Sequence, residues 1–155
     1  MNYKKFECHI DTLTKYLNEF LIEFDCEATL GRDFGYLYPK SLITYTLLVS
    51  ERQEDSFLKF CESLFPEIKA DIFLWSFLHE LGHHETLDDF DDVAHMVYHH
   101  LINSDVPMSD DYYYHLPIEQ AATEWAGNFI LTHAREVFNL WKKIQPVIKA
   151  IYTEN

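Results

Sequence analysis

The chain is short of positive charge, of chain-breaking residues and of long apolar runs. Only 12 Lys and Arg stand against 26 Asp and Glu, a formal net charge of −14. Such a surface repels phosphates at long range, so direct nucleic-acid binding is not expected. It favours a basic partner, weak cation binding, or simple solubility. The 3 Cys, at positions 8, 26 and 61, are far apart and form no C-x-x-C pair. That excludes a thiolate zinc finger and a redox dithiol. Reduced thiols in a cytoplasmic protein are the simplest account. Cys8 and Cys61 fall at apolar helix positions, where a thiol packs like a small hydrophobe. With 4 Gly and 5 Pro there is little room for linkers or long loops, and there is no repeat or low-complexity tract. Lys4 and Lys5 precede Phe6-Glu7-Cys8-His9 rather than the apolar core of a leader. The longest apolar stretch, near Ile72 to Leu78, is too short to cross a bilayer. A cytoplasmic protein with no membrane partner is expected.

Hydrophobic residues make up 48% and aromatics 16% of 155 residues, enough to bury a substantial core in one domain, residues 1–155. The periodicity predicts an α+β fold, mostly helical, with a small antiparallel sheet flanking a buried central helix. Phe6, Ile10, Leu13, Leu17, Leu21 and Phe24 recur at helical steps, predicting a helix from Tyr3 to Phe24. Gly31 to Gly35 reads as a turn, with strands at Tyr36 to Tyr38 and Ile43 to Val49. Glu51 to Phe65 is helical, with Phe57, Phe60, Cys61 and Leu64 on one face, and Pro66 ends it. The central helix is expected from Glu67 to Glu85 and another from Phe90 to Ser104, capped by Asp88 or Asp89. Asp105 to Leu116 reads as a loop, and Pro117 opens a further helix. The tail is expected to be helical, interrupted at Pro146, burying Phe138, Leu140, Trp141, Ile144, Val147, Ile148 and Ile151.

The central helix carries His79-Glu80-Leu81-Gly82-His83, an H-E-x-x-H motif. Residues four apart share a helix face, with Cβ atoms about 5–6 Å apart. Two imidazoles so placed can reach one zinc ion at about 2.0–2.1 Å each. Glu80 lies beside them, placed to take a proton from a water that the cation acidifies to a pKa of about 7. The motif sits in an apolar helix rather than a polar loop. Gly82 inside a helix costs about 1 kcal/mol relative to Ala, which points to a close neighbour at that position. His95 and His99 are also four apart, yet no acidic residue at matching spacing accompanies them; surface or core histidines are the simpler account. The turn from Glu85 to Asp92 is densely acidic and reads first as a solvated helix start.

A catalytic zinc site needs a third protein ligand and an open position. Glu119 is the first choice and Glu124 the second. Both lie on the helix after Pro117, where Ala121, Ala122, Ala126 and Gly127 permit close approach to the central helix. The pair of stretches His79-Glu80-Leu81-Gly82-His83 and Glu119-Gln120-Ala121-Ala122-Thr123-Glu124-Trp125-Ala126 resembles the ImmA/IrrE group of zinc metallopeptidases. The resemblance spans Asp71 to Leu131. It implies zinc held by His79, His83 and Glu119, Glu80 as general base, and a protein substrate such as a transcriptional repressor. Thr123 stands where the group's pattern has Asn or Asp.

The expected chemistry is therefore hydrolysis of a peptide bond by a zinc metalloendopeptidase. His115 or Tyr114 (or a neighbouring tyrosine, Tyr112 or Tyr113) is the expected donor to the oxyanion, although aromatics before Pro117 also suit anchoring a loop. Two other functions fit parts of the sequence. One is an acidic inhibitor or antirepressor with a zinc site kept for stability. The other is a di-iron helical protein, since Glu80-Leu81-Gly82-His83 is also Glu-x-x-His, with Asp92-Val93-Ala94-His95 as a poor second copy.

Overall fold

The computed structural model describes residues 2–47 and 51–154, with backbone alone at 51–53. The chain forms two compact units, Met1–Thr46 with Thr132–Asn155, and Leu47–Leu131.

In the first unit, helix α1 (Tyr3–Leu21) starts at Asn2, whose side chain accepts from the Lys5 N–H. Leu13, Leu17 and Leu21 form its buried stripe, at the four-residue steps the sequence predicts. A 3-10 turn, Ile22–Phe24, ends it, and Asp25 takes up the left-handed conformation, φ 51°. Strands β1 (Glu27–Leu30), β2 (Gly35–Leu37) and β3 (Leu42–Tyr45) make one sheet in the order β1-β3-β2. The sheet is mixed, not the expected antiparallel one. β3 folds back on β2 through a short connection and enters between the two earlier strands. It therefore runs antiparallel to β2 and parallel to β1. β1 was not legible in the sequence, because Glu27-Ala28-Thr29-Leu30 lacks a β-branched run. The Asn18 side chain covers the outer edge of β1: its Oδ1 accepts from the Ala28 N–H at 2.7 Å, and its Nδ2 donates to the Ala28 carbonyl at 3.2 Å. The predicted strand to Val49 ends at Tyr45, and residues 48–50 lie outside the described residues.

Helix α7 (Ala134–Thr153) packs along α1 and buries Val137, Leu140, Ile144 and Ile151. Contrary to expectation, it runs through Pro146 without interruption. Pro146 and Lys142 are both exposed, so the carbonyl that loses its N–H partner can be met by water. Phe138, expected inside, is 59% exposed; Val137 is buried instead.

The second unit is helical. It contains α2 (Glu51–Leu64), α3 (Ile72–Glu85), α4 (Asp92–Ile102), α5 (Asp110–Tyr114) and α6 (Pro117–Thr132). α3 starts later than Glu67 because Asp71 caps it, its carboxylate accepting from the Phe73 N–H at 2.8 Å. Every residue from Phe73 to Gly82 is buried, as the apolar run predicts for a helix enclosed on all sides. Asp88 and Asp89 lie in a 3-10 turn, Leu87–Asp89, so the cap of α4 is Asp91. The expected loop from Asp105 to Leu116 contains α5, started by the Ser109 hydroxyl accepting from the Tyr112 N–H. Among the described residues no helix is long and apolar enough to cross a membrane.

No disulfide joins the cysteines; Cys8, expected to pack, is exposed, whereas Cys26 and Cys61 are buried. Burial also pushes the Cys61 thiol far above its ordinary range. A thiol reagent applied to the folded chain should modify Cys8 alone, with the other two reacting only after denaturation. Peptide mapping by mass spectrometry checks this; early labelling of Cys61 would contradict its enclosure on α2.

Candidate metal centre

α3 presents His79 and His83 from successive turns, with ring centroids 4.7 Å apart and planes nearly perpendicular. α6 meets α3 at Gly82. A Cβ on Gly82 would strike the Ala122 backbone, its carbonyl oxygen above all and its Cα at 3.0 Å. The predicted close neighbour of Gly82 is thus the α6 main chain. This approach brings Glu119, one turn before Thr123, to the two histidines.

Glu119 is 2% exposed and uses both carboxylate oxygens. Its Oε2 lies 3.0 Å from His79 Nε2 and 3.1 Å from His83 Nε2. Its Oε1 accepts from the Tyr98 hydroxyl at 2.6 Å and the Tyr113 hydroxyl at 2.8 Å. On the far side of His79, Nδ1 is 2.8 Å from Thr123 Oγ1. The Thr123 hydroxyl also points back to the Glu119 carbonyl, at 3.4 Å. With its hydrogen so directed, Thr123 accepts from the His79 Nδ1–H, which leaves Nε2 facing Glu119. Phe57 of α2 closes the site edge-on to His79, ring centroids 5.3 Å apart.

The protein's own charges polarise this cluster. Burial alone would raise the Glu119 carboxyl, but the His83 charge and the imidazole hydrogen bonds outweigh it and hold it well below the usual carboxylate range. Glu80 moves the other way. Burial raises it, His83 and His79 offset only part of that, and Glu119 adds to the rise. His83 is raised despite burial, because Glu119 and Glu80 stabilise its charged form. Burial, then the Glu119 charge, push both tyrosine hydroxyls up, so each stays protonated and donates.

The donor set fits a small divalent cation. His79, Glu80 and His83 offer ligand atoms all within 4.8 Å of one another. A tetrahedral ion bonded at about 2.0–2.1 Å spaces its ligands about 3.3 Å apart. The Nε2 to Oε2 separations of 3.0 and 3.1 Å are close to that. Both imidazoles aim at one oxygen of a carboxylate that no lysine or arginine contacts among the ion pairs of the described residues. A metal ion is therefore compatible with the residues present.

Of the predicted site residues, His79, Glu80, His83 and Glu119 are brought together. Glu124 is exposed on the other face of α6, where Gln120 donates to it at 2.9 Å. Tyr114 stacks on Phe60 and lies tilted against Phe57. The half-exposed His115 donates Nδ1–H to the Asp111 carbonyl at 2.7 Å. The hydroxyls that reach Glu119 are those of Tyr113, one of the neighbouring tyrosines named from the sequence, and Tyr98. Tyr98 went unnoticed in the sequence, although it lies three residues beyond His95. His95 itself donates Nε2–H to the Leu87 carbonyl at 2.9 Å. Thr123, which stands where the resembled pattern has Asn or Asp, is the partner of His79, and its spacing of four from Glu119 places both on one face. Comparison with known protein families, curated proteins and solved structures finds no match to this chain.

Gly82→Ala should destabilise the chain by about 1–3 kcal/mol, because α6 must retreat or α3 distort. It should also weaken metal binding, which thermal unfolding and metal titration would show together; an unchanged midpoint would mean that α3 and α6 are further apart than described. Tyr98→Phe and Tyr113→Phe should each lower metal affinity by about 10–100-fold with the fold intact, since each releases one oxygen of Glu119. Competition against a chromophoric chelator measures this, and wild-type affinity in both variants would refute an orienting role.

Proposed function

We propose that this chain is a zinc-dependent metallopeptidase of the ImmA/IrrE type that hydrolyses a peptide bond in a protein substrate. The observation that carries this reading is the convergence of His79, His83 and Glu119 Oε2 with Glu80 alongside. Two imidazoles and a carboxylate suit zinc, and the H-E-x-x-H spacing with Glu80 beside the ligands is what favours it. When bound, zinc would polarise a carbonyl and acidify water.

The chain's own residues would do the rest. His79 is oriented by Thr123, and Glu119 by the two tyrosines. The Glu80 carboxylate takes the proton of the attacking water and passes it to the leaving amine. Phe57 and the packed α3–α6 contact limit water around the reacting groups. A repressor protein is one substrate class in keeping with the sequence resemblance.

A second reading keeps the zinc site for stability and assigns function to binding a basic partner, favoured by the net charge of −14. Glu80→Gln separates the two. It should retain about one zinc per chain by elemental analysis and lose hydrolysis of the substrate by about a hundredfold or more. Biological function that survives this substitution would establish the binding protein. Glu119→Ala should lose the metal whereas Glu124→Ala keeps it; zinc retained in both would remove Glu119 from the ligand set.

A further inference from the structure

The face of α4 turned away from Glu119 carries an apolar stripe, bordered by exposed His100, that no described residue covers. Val93, Met96 and Val97 stand at i, i+3 and i+4 and are 61%, 66% and 51% exposed. Tyr98 and His95, on the opposite face, tie the same helix to Glu119 and to the Leu87 carbonyl. No residue of α4 is fully buried. A single exposed apolar side chain is ordinary, but three adjoining ones on one helix face form the kind of patch that marks an interaction.

The surroundings define the partner. From Lys69 to Arg135 the chain has no lysine or arginine between them. The approach to α4 carries Asp88, Asp89, Asp91 and Asp92, all exposed. An anionic membrane, a nucleic acid or a second copy of the same face would each bring negative charge against this rim. A segment that offers apolar side chains and positive charge together satisfies both features.

We propose that the outward face of α4 docks a cationic, apolar polypeptide segment, rich in lysine or arginine with apolar residues at helical spacing. This deepens the peptidase reading and rests on it: the segment belongs to the substrate. The helix that holds it supplies Tyr98 to the metal centre from its other face. Apolar contact sets the affinity, and the acidic rim speeds encounter and rejects acidic segments.

The test uses the full chain carrying Glu80→Gln, so that a probe is not cut. The probes are a fluorescein-labelled amphipathic peptide of Lys and Leu and its Glu and Leu counterpart, followed by anisotropy. The Lys/Leu peptide should bind, more weakly at higher salt, and the Glu/Leu peptide should not. Val93→Ser/Met96→Ser/Val97→Ser should weaken binding about tenfold or more while zinc content stays unchanged. Met96→Lys, a single surface change, should do likewise and covers the case in which the triple variant misfolds. Glu19→Gln/Glu23→Gln, on the other unit, should leave binding unchanged. Wild-type binding by both α4 variants, or equal weakening by the Glu19/Glu23 variant, would overturn the docking surface and indicate diffuse charge attraction. Concentration-dependent dimers abolished by Met96→Lys would also overturn it, in favour of self-association. Binding that depends on α4 in a chain whose wild type cleaves nothing would leave the docking surface standing and remove the peptidase reading alone.

Discussion

A single buried carboxylate organises the second unit. Glu119 sits where one oxygen meets two imidazoles and the other meets two phenols, at 2% exposure. A charge buried this deeply is costly unless all its acceptor positions are engaged. The partners come from α3, α4 and α5, while Glu119 itself stands on α6. Removing it would leave two hydroxyls without their acceptor and two imidazoles without the oxygen they face.

That arrangement depends on a backbone constraint. Glu119 reaches α3 only because Gly82 has no Cβ to meet the Ala122 backbone. A glycine within a helix is unfavourable by about 1 kcal/mol against alanine. Its placement between the two histidines fits a requirement for ligand geometry rather than for helix formation. The same contact seats Thr123, 0% exposed, against His79 Nδ1. Thr123 therefore accepts a hydrogen bond from His79 Nδ1–H without adding a charge to the cluster.

The short helices α4 and α5 each divide their side chains between two faces. α4 turns Tyr98 inward and Val93, Met96 and Val97 outward. α5 turns Tyr113 to Glu119 while Tyr114 fills the aromatic contact with Phe57 and Phe60. No residue of either helix is fully buried.

The sequence alone determined the helices and the heart of the site. Strong 3.6-residue periodicity specified α1 and α2, and the apolar run specified a fully enclosed α3, because local spacing dictates which face a helix can bury. H-E-x-x-H determined that His79 and His83 share a face, since spacing of four does so in any helix. The tertiary structure decided what spacing cannot. It placed β3 between β1 and β2, because strand pairing is non-local. It let α7 continue through Pro146, because that turn faces solvent. It chose Glu119 over Glu124, since only the contact of α6 with Gly82 distinguishes an inward from an outward glutamate. It likewise turned the Tyr98 and Tyr113 hydroxyls to Glu119, as the direction of a side chain from a short helix is settled by what packs against it.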